Sequence, residues 1–405
     1  MSAVPASAAD STAASIPQLG GAVWPLAVRY HHDPLRVLQR AQARHGPVFA
    51  LPMPWKPSLV VVADPEAADA VIGLDPGGAR AGEARRTILP QASPRSPFGS
   101  DGDAHEEVRA RVVPWFSAAR VDERADELRR VVCEQIDRWP AREVRLLPRL
   151  RTLTTSVLVR VALGIDDPVR SRALVAAIRH LLWTPGNPPM PVPARDDGLL
   201  GRSIDAVYRR RVAWVRRALP DERFDVDEWA VVFAAAQEPP AIALTNVVLE
   251  LARAPGSQVR IAAGDVDHLD AVVREALRLR PAASGALRRL TRPTEAAGIE
   301  LPAGTTVLLP SLLLHRDAQT FDYPDEFRPE RWAALGTDVA GYRPFGDGAR
   351  RCLGEVLAHA QLRCVVPELL RRHRVDALGT RPERMAVRGT VLAPVRSGRV
   401  RLTGR

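Results

Sequence analysis

The stretch that decides the fold lies near the end of the chain and reads Phe345-Gly346-Asp347-Gly348-Ala349-Arg350-Arg351-Cys352-Leu353-Gly354. Glycines interrupt it, and its cysteine comes just before a segment whose apolar residues recur at helical spacing. A thiol at the start of a helix meets free backbone N–H groups and the positive end of the helix dipole, which favour the thiolate. The stretch therefore predicts a cysteine that acts as a nucleophile or as a metal ligand.

The residues around Cys352 indicate a flat, bulky partner. Gly346 and Gly348 allow the backbone to take a positive φ and to approach such a partner closely. Arg350 supplies a cation suited to an anionic group on that partner. The alternative is a buried cysteine without chemical function, which is the usual case for a lone cysteine. Six positions that fit one pattern together favour the functional interpretation.

That pattern, F-G-x-G-x-R-x-C-x-G, resembles the haem-binding loop of the cytochrome P450 family. It is carried by Phe345, Gly346, Gly348, Arg350, Cys352 and Gly354. The resemblance implies a mainly α fold with a small β portion in a single domain. It also implies haem b as the cofactor, with Cys352 as the iron ligand and Phe345, Gly346 and Arg350 as cofactor contacts.

Composition and charge agree with a soluble enzyme. The 405 residues are 46% hydrophobic and 26% charged, which is typical of a globular protein with a large core. Three cysteines cannot build a disulfide framework and indicate a reducing compartment. The net charge of +10 comes almost wholly from arginine, but the sequence contains no nucleic-acid-binding motif. The sequence has no run of eighteen apolar residues, so no membrane span is predicted.

The domain organisation is predicted to be simple. Residues 1–21 are rich in Ala, Ser and Pro and lack the basic start and apolar stretch of a signal peptide, so they are predicted to form a flexible leader. Residues 22–405 are predicted to form the haem-thiolate domain. A cytoplasmic location follows from these features.

Local signals predict the elements before the cysteine loop. Asp33 and Pro34 mark the start of a helix that Gly46 ends. Two strands are predicted near residues 48–51 and 59–63, and residues 77–102 are predicted to form a long functional loop. Asp103, with Glu106 three residues later, is predicted to cap the next helix. A proline-rich connector is predicted at residues 183–198.

Glu275 and Arg278 lie three residues apart on one predicted helix and are close enough to pair. Together with Arg331 they resemble the E-x-x-R helix and the downstream arginine of the P450 family. The resemblance implies a buried structural network under the cysteine loop, so these residues are assigned to the scaffold.

His105 and Arg109 lie four residues apart and therefore share a helix face. The resemblance implies that both donate hydrogen bonds to a haem propionate, as does Arg289 after the E-x-x-R helix. Arg288 is adjacent and is the alternative donor.

One segment departs from the family pattern. Where the family usually has A-G-x-[DE]-T, this chain has Glu238 followed by Pro239 and Pro240. Two prolines are predicted to kink or split the helix, because each lacks an N–H and clashes with the preceding turn; the alternative is two helices that meet at a loop. Pro239 replaces the usual threonine, and Thr245 is predicted to be out of reach. Glu238 is the predicted catalytic acid; the alternatives are that ordered water or a substrate hydroxyl supplies the proton, or that the reaction is not ordinary hydroxylation.

Three function classes follow from these observations. The first is a haem-thiolate monooxygenase that acts on a small organic molecule, such as a secondary metabolite, with electrons from ferredoxin, ferredoxin reductase and NAD(P)H. The second is an atypical haem-thiolate enzyme that uses peroxide or catalyses coupling, cyclisation or rearrangement. The third is a non-catalytic haem-binding protein. The basic run 371–374, with Arg351 and Arg363, forms either a surface for an acidic ferredoxin or a solvated helix end.

Overall fold

The structure is a computed structural model that describes residues 16–54, 58–88, 92–181, 199–219, 221 and 223–405. The predicted connector at residues 183–198 lies outside the described residues, as does the leader up to residue 15. The last residues of the predicted leader are packed: the N–H of Leu19 donates to the Ala50 carbonyl at 3.1 Å, and Ile16 is buried. Residues 16–19 of the predicted leader therefore contact the folded domain.

Helices dominate the described part of the chain, which confirms the predicted fold class. Most of them turn an apolar face inward, and the largest core cluster lies between the helices of the middle and the C-terminal thirds of the chain. The described helices are α1 (Val23–His32), α2 (Pro34–His45), α3 (Pro65–Gly73), α4 (Ala81–Ile88), α5 (Gly102–Val112), α6 (Ala118–Glu123), α7 (Ala125–Ile136), α8 (Leu146–Val157), α9 (Pro168–Leu181), α10 (Leu199–Ala218), α11 (Val226–Leu251), α12 (Pro255–Ala262), α13 (Val266–Leu279), α14 (Ser311–Leu314), α15 (Trp332–Leu335) and α16 (Glu355–Arg372).

The strands are short and form small sheets. The largest described sheet has five strands in the order β1-β2-β8-β5-β3, with β2 parallel to β8 and the other pairs antiparallel. A three-stranded sheet has the order β4-β12-β9, and β6-β7 and β10-β11 are hairpins. The strands are β1 (Val48–Leu51), β2 (Leu59–Val62), β3 (Ala79–Arg80), β4 (Glu143–Arg145), β5 (Ala286–Leu290), β6 (Thr294–Ala296), β7 (Ile299–Leu301), β8 (Thr306–Leu309), β9 (His373–Ala377), β10 (Met385–Arg388), β11 (Val391–Pro394) and β12 (Arg399–Gly404).

The early elements are confirmed, with two exceptions. Helix α2 begins at Pro34 and ends before Gly46, whose φ is +83°, and β1 and β2 lie where predicted. Residues 77–102 are not one long loop, because they contain β3 and α4. The Asp101 carboxylate accepts hydrogen bonds from the N–H groups of Gly82 and Glu83 at 2.7 and 2.8 Å and so caps α4 from a distance in sequence. Helix α5 begins at Gly102, so Asp103 lies inside its first turn and does not cap it.

Helix α11 is the central helix of the core. It has 26 residues, and nearly every residue from Ala241 to its end is buried. It packs against α8, α13 and α16. By length and composition α11 could cross a membrane, but 67% of its most apolar window is buried inside the protein, as expected for the core helix of a globular domain.

The proline pair does not divide α11. Helical structure is continuous from Val226 to Leu251 with Pro239 and Pro240 inside it. The predicted split and its alternative, two helices joined by a loop, are therefore wrong. The Thr154 hydroxyl of α8 donates to the Gln237 carbonyl at 2.9 Å, so the neighbouring helix supports the backbone beside the prolines.

Candidate active site

The cysteine loop is held by its own backbone. The N–H of Cys352 donates to the Phe345 carbonyl at 2.8 Å, which closes the loop immediately before α16. Gly346 and Gly348 have φ values of +70° and +59°, which glycine adopts without strain. The Phe345 ring packs against His359 with ring centroids 4.9 Å apart. The prediction that this stretch delivers a cysteine to a helix start is confirmed.

The surroundings of the Cys352 sulfur oppose its ionisation. Burial of the sulfur among protein atoms raises the pKa of the thiol, and Glu355 raises it further. The N–H of Gly354 and the cations Arg109 and Arg351 lower that pKa, but not enough to offset burial. The residue as a whole is nevertheless exposed to solvent. Coordination to a metal would remove the proton outright and leave the predicted thiolate.

A fully buried ion pair supports this loop. Glu275 and Arg278, both on α13 and both 0% exposed, form two hydrogen bonds of 2.9 and 3.0 Å. Arg331 approaches the same carboxylate at 3.0 Å, and the Trp332 indole N–H donates to it at 3.1 Å. The predicted network of Glu275, Arg278 and Arg331 is confirmed as a structural cluster.

His315 links that network to the cysteine loop. Its carbonyl accepts a hydrogen bond from Arg278 at 3.0 Å, and its ring Nε2 accepts one from the N–H of Arg343 at 3.2 Å. Burial lowers the pKa of His315 to about 3, with the cations Arg316 and Arg278 acting in the same direction. A neutral imidazole suits this role, because it can accept the backbone N–H that positions the start of the loop.

Arg350 is the centre of a second, nearly buried cluster. Its guanidinium binds Asp75 at 2.9 Å and Asp101 at 2.8 Å, and it donates to Nδ1 of His105 at 2.8 Å. Nε2 of the same imidazole lies 3.2 Å from the Ala349 carbonyl. A guanidinium only donates and a carbonyl only accepts, so His105 carries its proton on Nε2.

The charge state of His105 follows from the same contacts. Burial lowers its pKa most strongly, the nearby Arg350 lowers it further, and the contact with the Ala349 carbonyl raises it. The predicted site residues His105 and Arg350 are thus brought together, with the imidazole neutral. Asp75 and Asp101 also belong to this cluster, and no sequence motif indicated them.

The orientation of strand β5 decides whether Arg288 or Arg289 faces the Arg350 cluster. Arg288 is 2% exposed and its Nε lies 3.3 Å from Asp75, in the Arg350 cluster. Arg289 lies on the opposite face, where its Nε pairs with Glu83 at 2.9 Å. Successive side chains on a strand point to opposite faces, so only one of two adjacent arginines can face the cluster. The structure brings Arg288 to Arg350, and not the predicted Arg289.

Arg109 is a half-buried cation near Cys352 and Arg350. It lies near enough to Cys352 and Arg350 that the first raises and the second lowers its pKa, although burial, which lowers it, is the largest cause. Within the part of the chain that the structure describes, its side chain has no hydrogen bond and no ion pair. It lies one helical turn from His105 on α5, as predicted.

Glu238 is not a free carboxylate. Arg151 of α8 donates to both of its oxygens, with Nε 2.6 Å from Oε2 and Nη2 bonded to Oε1. Thr245 is fully buried, and its hydroxyl donates to the Ala241 carbonyl at 2.7 Å. The predicted acid is therefore held in an ion pair, and the hydroxyl of Thr245 is engaged within its own helix.

Comparison with known proteins agrees with this geometry. The sequence model of the family described as Cytochrome P450 matches residues 226–398. The chain is 29% identical to a Mycobacterium tuberculosis protein named as cytochrome P450 135B1, over 95% of this chain and 90% of that protein. Its fold is similar to that of CYP175A1 from Thermus thermophilus, with a TM-score of 0.77, 25% identity, and coverage of 96% of this chain and 100% of that one. The chain is therefore similar to cytochrome P450 proteins in sequence and in fold. A second P450 structure, described as six-coordinated and from another strain of the same bacterium, has a TM-score of 0.73 at 25% identity and covers 92% of this chain and 98% of that one.

Proteins of the P450 family bind haem b through a cysteine thiolate, and the residues of this chain fit that group. Cys352 offers one soft ligand at a helix start. Arg350, Arg288, Arg109 and neutral His105 offer donors for two carboxylates. The buried Nε of Arg288 lies 3.3 Å from Asp75 but forms no hydrogen bond within the described residues, so this N–H could still donate to a bound carboxylate.

The arginines beyond the loop do not form an open cationic surface. Arg351 binds Glu355 at 2.7 Å, and Arg363 binds Asp270 at 2.7 Å. The others of this group are paired in the same way: Arg371 with Glu368, Arg372 with Asp137 and Glu368, and Arg374 with Asp376. The contacts favour the interpretation as a solvated, charge-balanced helix end.

Proposed function

We propose that this protein is a cytochrome P450, a haem-thiolate monooxygenase that inserts one oxygen atom from O2 into a small, largely apolar organic molecule. The observation that carries the proposal is the cysteine loop closed onto α16 and supported by the buried Glu275–Arg278 pair. Family relatives support monooxygenase activity in general. We further propose that it works in the cytoplasm, in secondary metabolism, with electrons from a ferredoxin and an NAD(P)H-dependent reductase.

Each site residue has a proposed role. Cys352 would hold the iron, which activates dioxygen with electron density from the thiolate. The backbone of Phe345 would keep the sulfur in place through its hydrogen bond to the Cys352 N–H, and Gly346 would leave room for the macrocycle. Arg350, Arg109, Arg288 and His105 would donate to the propionates. Neutral His105 would do so through Nε2–H, once that group exchanges the Ala349 carbonyl for a carboxylate.

The assignment of Arg288 is testable because Arg289 is a natural control. Arg288→Gln should speed the loss of haem about 10- to 100-fold, the equivalent of one or two charge-assisted hydrogen bonds. Arg289→Gln should change the rate less than about twofold, because Arg289 faces Glu83. The measurement is the rate of haem transfer to excess apomyoglobin, with circular dichroism to verify folding. Equal rates for the two variants would refute the assignment.

The proline at position 239 favours a second candidate, a peroxide-using or otherwise atypical haem-thiolate enzyme. Pro239 has no hydroxyl, Glu238 is paired with Arg151, and the Thr245 hydroxyl is bonded to its own helix. None of these groups is free to pass a proton towards the iron. Ordered water or a substrate hydroxyl would supply it, or Glu238 would do so after leaving Arg151.

Pro239→Thr should restore a proton donor and therefore couple electron use to product formation. Removal of one acid–base group typically costs at least about 100-fold in rate, so we expect a clear rise in product formed per NAD(P)H, of the order of tenfold. The assay uses ferredoxin, reductase and a ligand chosen by its spin-state shift, with peroxide-driven turnover measured in parallel. Pro239→Ala is the matched control, because it relieves the backbone without adding a hydroxyl. An equal gain in both variants would contradict the proton-relay argument.

The spin-state screen also tests the non-catalytic alternative. A haem-binding protein without turnover would show neither a ligand-induced shift nor product under either oxidant. A ligand-induced spin-state shift together with product formation would exclude the non-catalytic alternative.

A further inference from the structure

Asp75 lies in a fixed turn between α3 and β3. The residues on either side of it close the turn, because the Gly78 N–H donates to the Leu74 carbonyl at 2.7 Å. Strand β3 then pairs with β5, and the N–H of Thr291, directly after β5, donates to the Gly78 carbonyl at 3.0 Å. The backbone of Asp75 is therefore held in place relative to β5, the strand that carries Arg288.

The carboxylate of Asp75 contacts two guanidinium groups at once. Its Oδ2 lies 2.9 Å from Nε of Arg350 and 3.3 Å from Nε of Arg288. None of these three side chains is more than 3% exposed. A contact at Nε restricts the rotation of a guanidinium group and leaves its terminal N–H groups for other acceptors. Asp75 thus restricts the orientation of both arginines.

The same carboxylate keeps two like charges close together. Arg288 and Arg350 touch one oxygen atom, so their positive charges repel each other in a buried site, where screening is weak. Burial is the largest cause that lowers the pKa of Arg288; Asp75 raises that pKa, and Arg350 lowers it. A carboxylate in contact with both cations offsets their repulsion, so that both can face the same site.

Asp101 does not share this role. Its carboxylate pairs with Arg350 at 2.8 Å and with Arg86 at 3.9 Å, but not with Arg288. It also accepts the hydrogen bonds from the first N–H groups of α4. Among the described residues, Asp75 is thus the carboxylate that pairs with both arginines.

We propose that Asp75 is a positioning residue for the cofactor: its carboxylate orients Arg288 and Arg350 so that both donate hydrogen bonds to the haem propionates. The inference rests on the haem-thiolate function proposed above and adds to it a residue that acts through the two arginines. Asp75 carries the same sign of charge as a propionate, so direct repulsion would weaken haem binding. Removal of Asp75 therefore speeds haem loss if positioning dominates, and slows it if repulsion dominates.

The test compares two forms of the cofactor in the reconstituted protein. One is haem b, and the other is its dimethyl ester, whose propionates carry no charge. Asp75→Ala should speed the transfer of haem b to excess apomyoglobin about tenfold, the equivalent of one charge-assisted hydrogen bond. It should change the transfer of the ester less than about twofold. Since both cofactors are measured in the same variant, a general loosening of the fold would speed both transfers alike.

Further variants separate the contacts of Asp75. Asp75→Asn keeps an acceptor oxygen for Arg350 without the charge, and its rate should lie between those of the wild type and Asp75→Ala. Glu83→Ala removes the carboxylate that pairs with Arg289 on the other face of β5, and should leave both transfer rates unchanged. Asp75→Ala combined with Arg288→Gln should speed haem loss less than the product of the two single effects, because Asp75 acts in part through Arg288.

Three results would overturn the proposal: an Asp75→Ala rate equal to or below that of the wild type, equal acceleration for haem b and its ester, or fully multiplicative effects of the two substitutions. The spectrum of the reduced, CO-bound protein reports the thiolate-bound haem separately. Any of these results with an intact thiolate band refutes the role of Asp75 and leaves the haem-thiolate function standing. A wild type without the thiolate band refutes that function itself.

Discussion

Replacing Cys352 with serine is expected to abolish the thiolate-type Soret band of the reduced, CO-bound protein, and oxygenase activity with it. The serine hydroxyl keeps its proton far more readily than a thiol, and its oxygen donates less electron density to iron. The thiolate is the group that supports O–O cleavage in this class of haem site. Absorption spectra of the purified variant, before and after reduction under CO, measure the effect directly.

The structure indicates that this substitution replaces the iron ligand and leaves the conformation of the cysteine loop unchanged. The hydrogen bond from residue 352 to the Phe345 carbonyl is made by the backbone N–H, which serine retains. The turn before it is closed by backbone bonds as well, from Gly346 to Arg343 and from Arg351 to Gly348. A folded protein with an altered or absent haem spectrum is therefore the expected product.

Cys364→Ser is the matched control. Cys364 lies within helix α16, twelve positions after Cys352, and is half-buried. Burial and the neighbouring Cys133 raise the pKa of its thiol to about 11, so it is an unreactive packing residue. This variant should keep the thiolate spectrum. A Cys352→Ser protein that still shows the thiolate band would assign the ligand to another residue.

How far sequence predicted the site depends on the range of the contacts involved. The cysteine loop and the Glu275–Arg278 pair were predictable because their contacts are local: a backbone bond between residues 345 and 352, and an i, i+3 pair on α13. The choice between Arg288 and Arg289 was not predictable from the sequence. It depends on which face of β5 turns to the Arg350 cluster, and this is set by pairing with β3 and β8, distant in sequence.

Contacts between residues distant in sequence also explain why the predictions for α4 and α11 were wrong. Helix α4 is short and its segment is rich in glycine and arginine, so the sequence indicated a loop. Its first N–H groups are capped by Asp101, nearly twenty residues later, and a Cβ on Gly82 would collide with the Ser100 carbonyl. Long-range contacts thus override local propensity. The same holds for α11, where contacts from α8 accompany helical structure that continues through the prolines.

The largest expected effect on stability comes from Glu275→Gln. The Glu275 carboxylate is 0% exposed and accepts hydrogen bonds from Arg278, Arg331 and the Trp332 indole, as well as from the N–H of Arg328 at 2.9 Å. Glutamine has nearly the same shape but carries no charge, so the fully buried Arg278 would lose its counter-ion. Removing one partner of a buried ion pair costs about 3–5 kcal/mol in the free energy of unfolding.

Denaturant unfolding of the haem-loaded protein, followed by circular dichroism, measures that loss. Glu330→Gln is the control, since Glu330 is 71% exposed and its pair with Arg328 spans 3.5 Å; an exposed pair of this kind contributes about 0–1 kcal/mol. Because Arg278 also donates to the His315 carbonyl, and His315 accepts from Arg343 at the start of the cysteine loop, Glu275→Gln should in addition loosen haem binding, while Glu330→Gln should not. A Glu275→Gln protein as stable as the Glu330→Gln control would show that the buried network does not support the loop. A destabilised protein with unchanged haem retention would show that stability and cysteine positioning are independent.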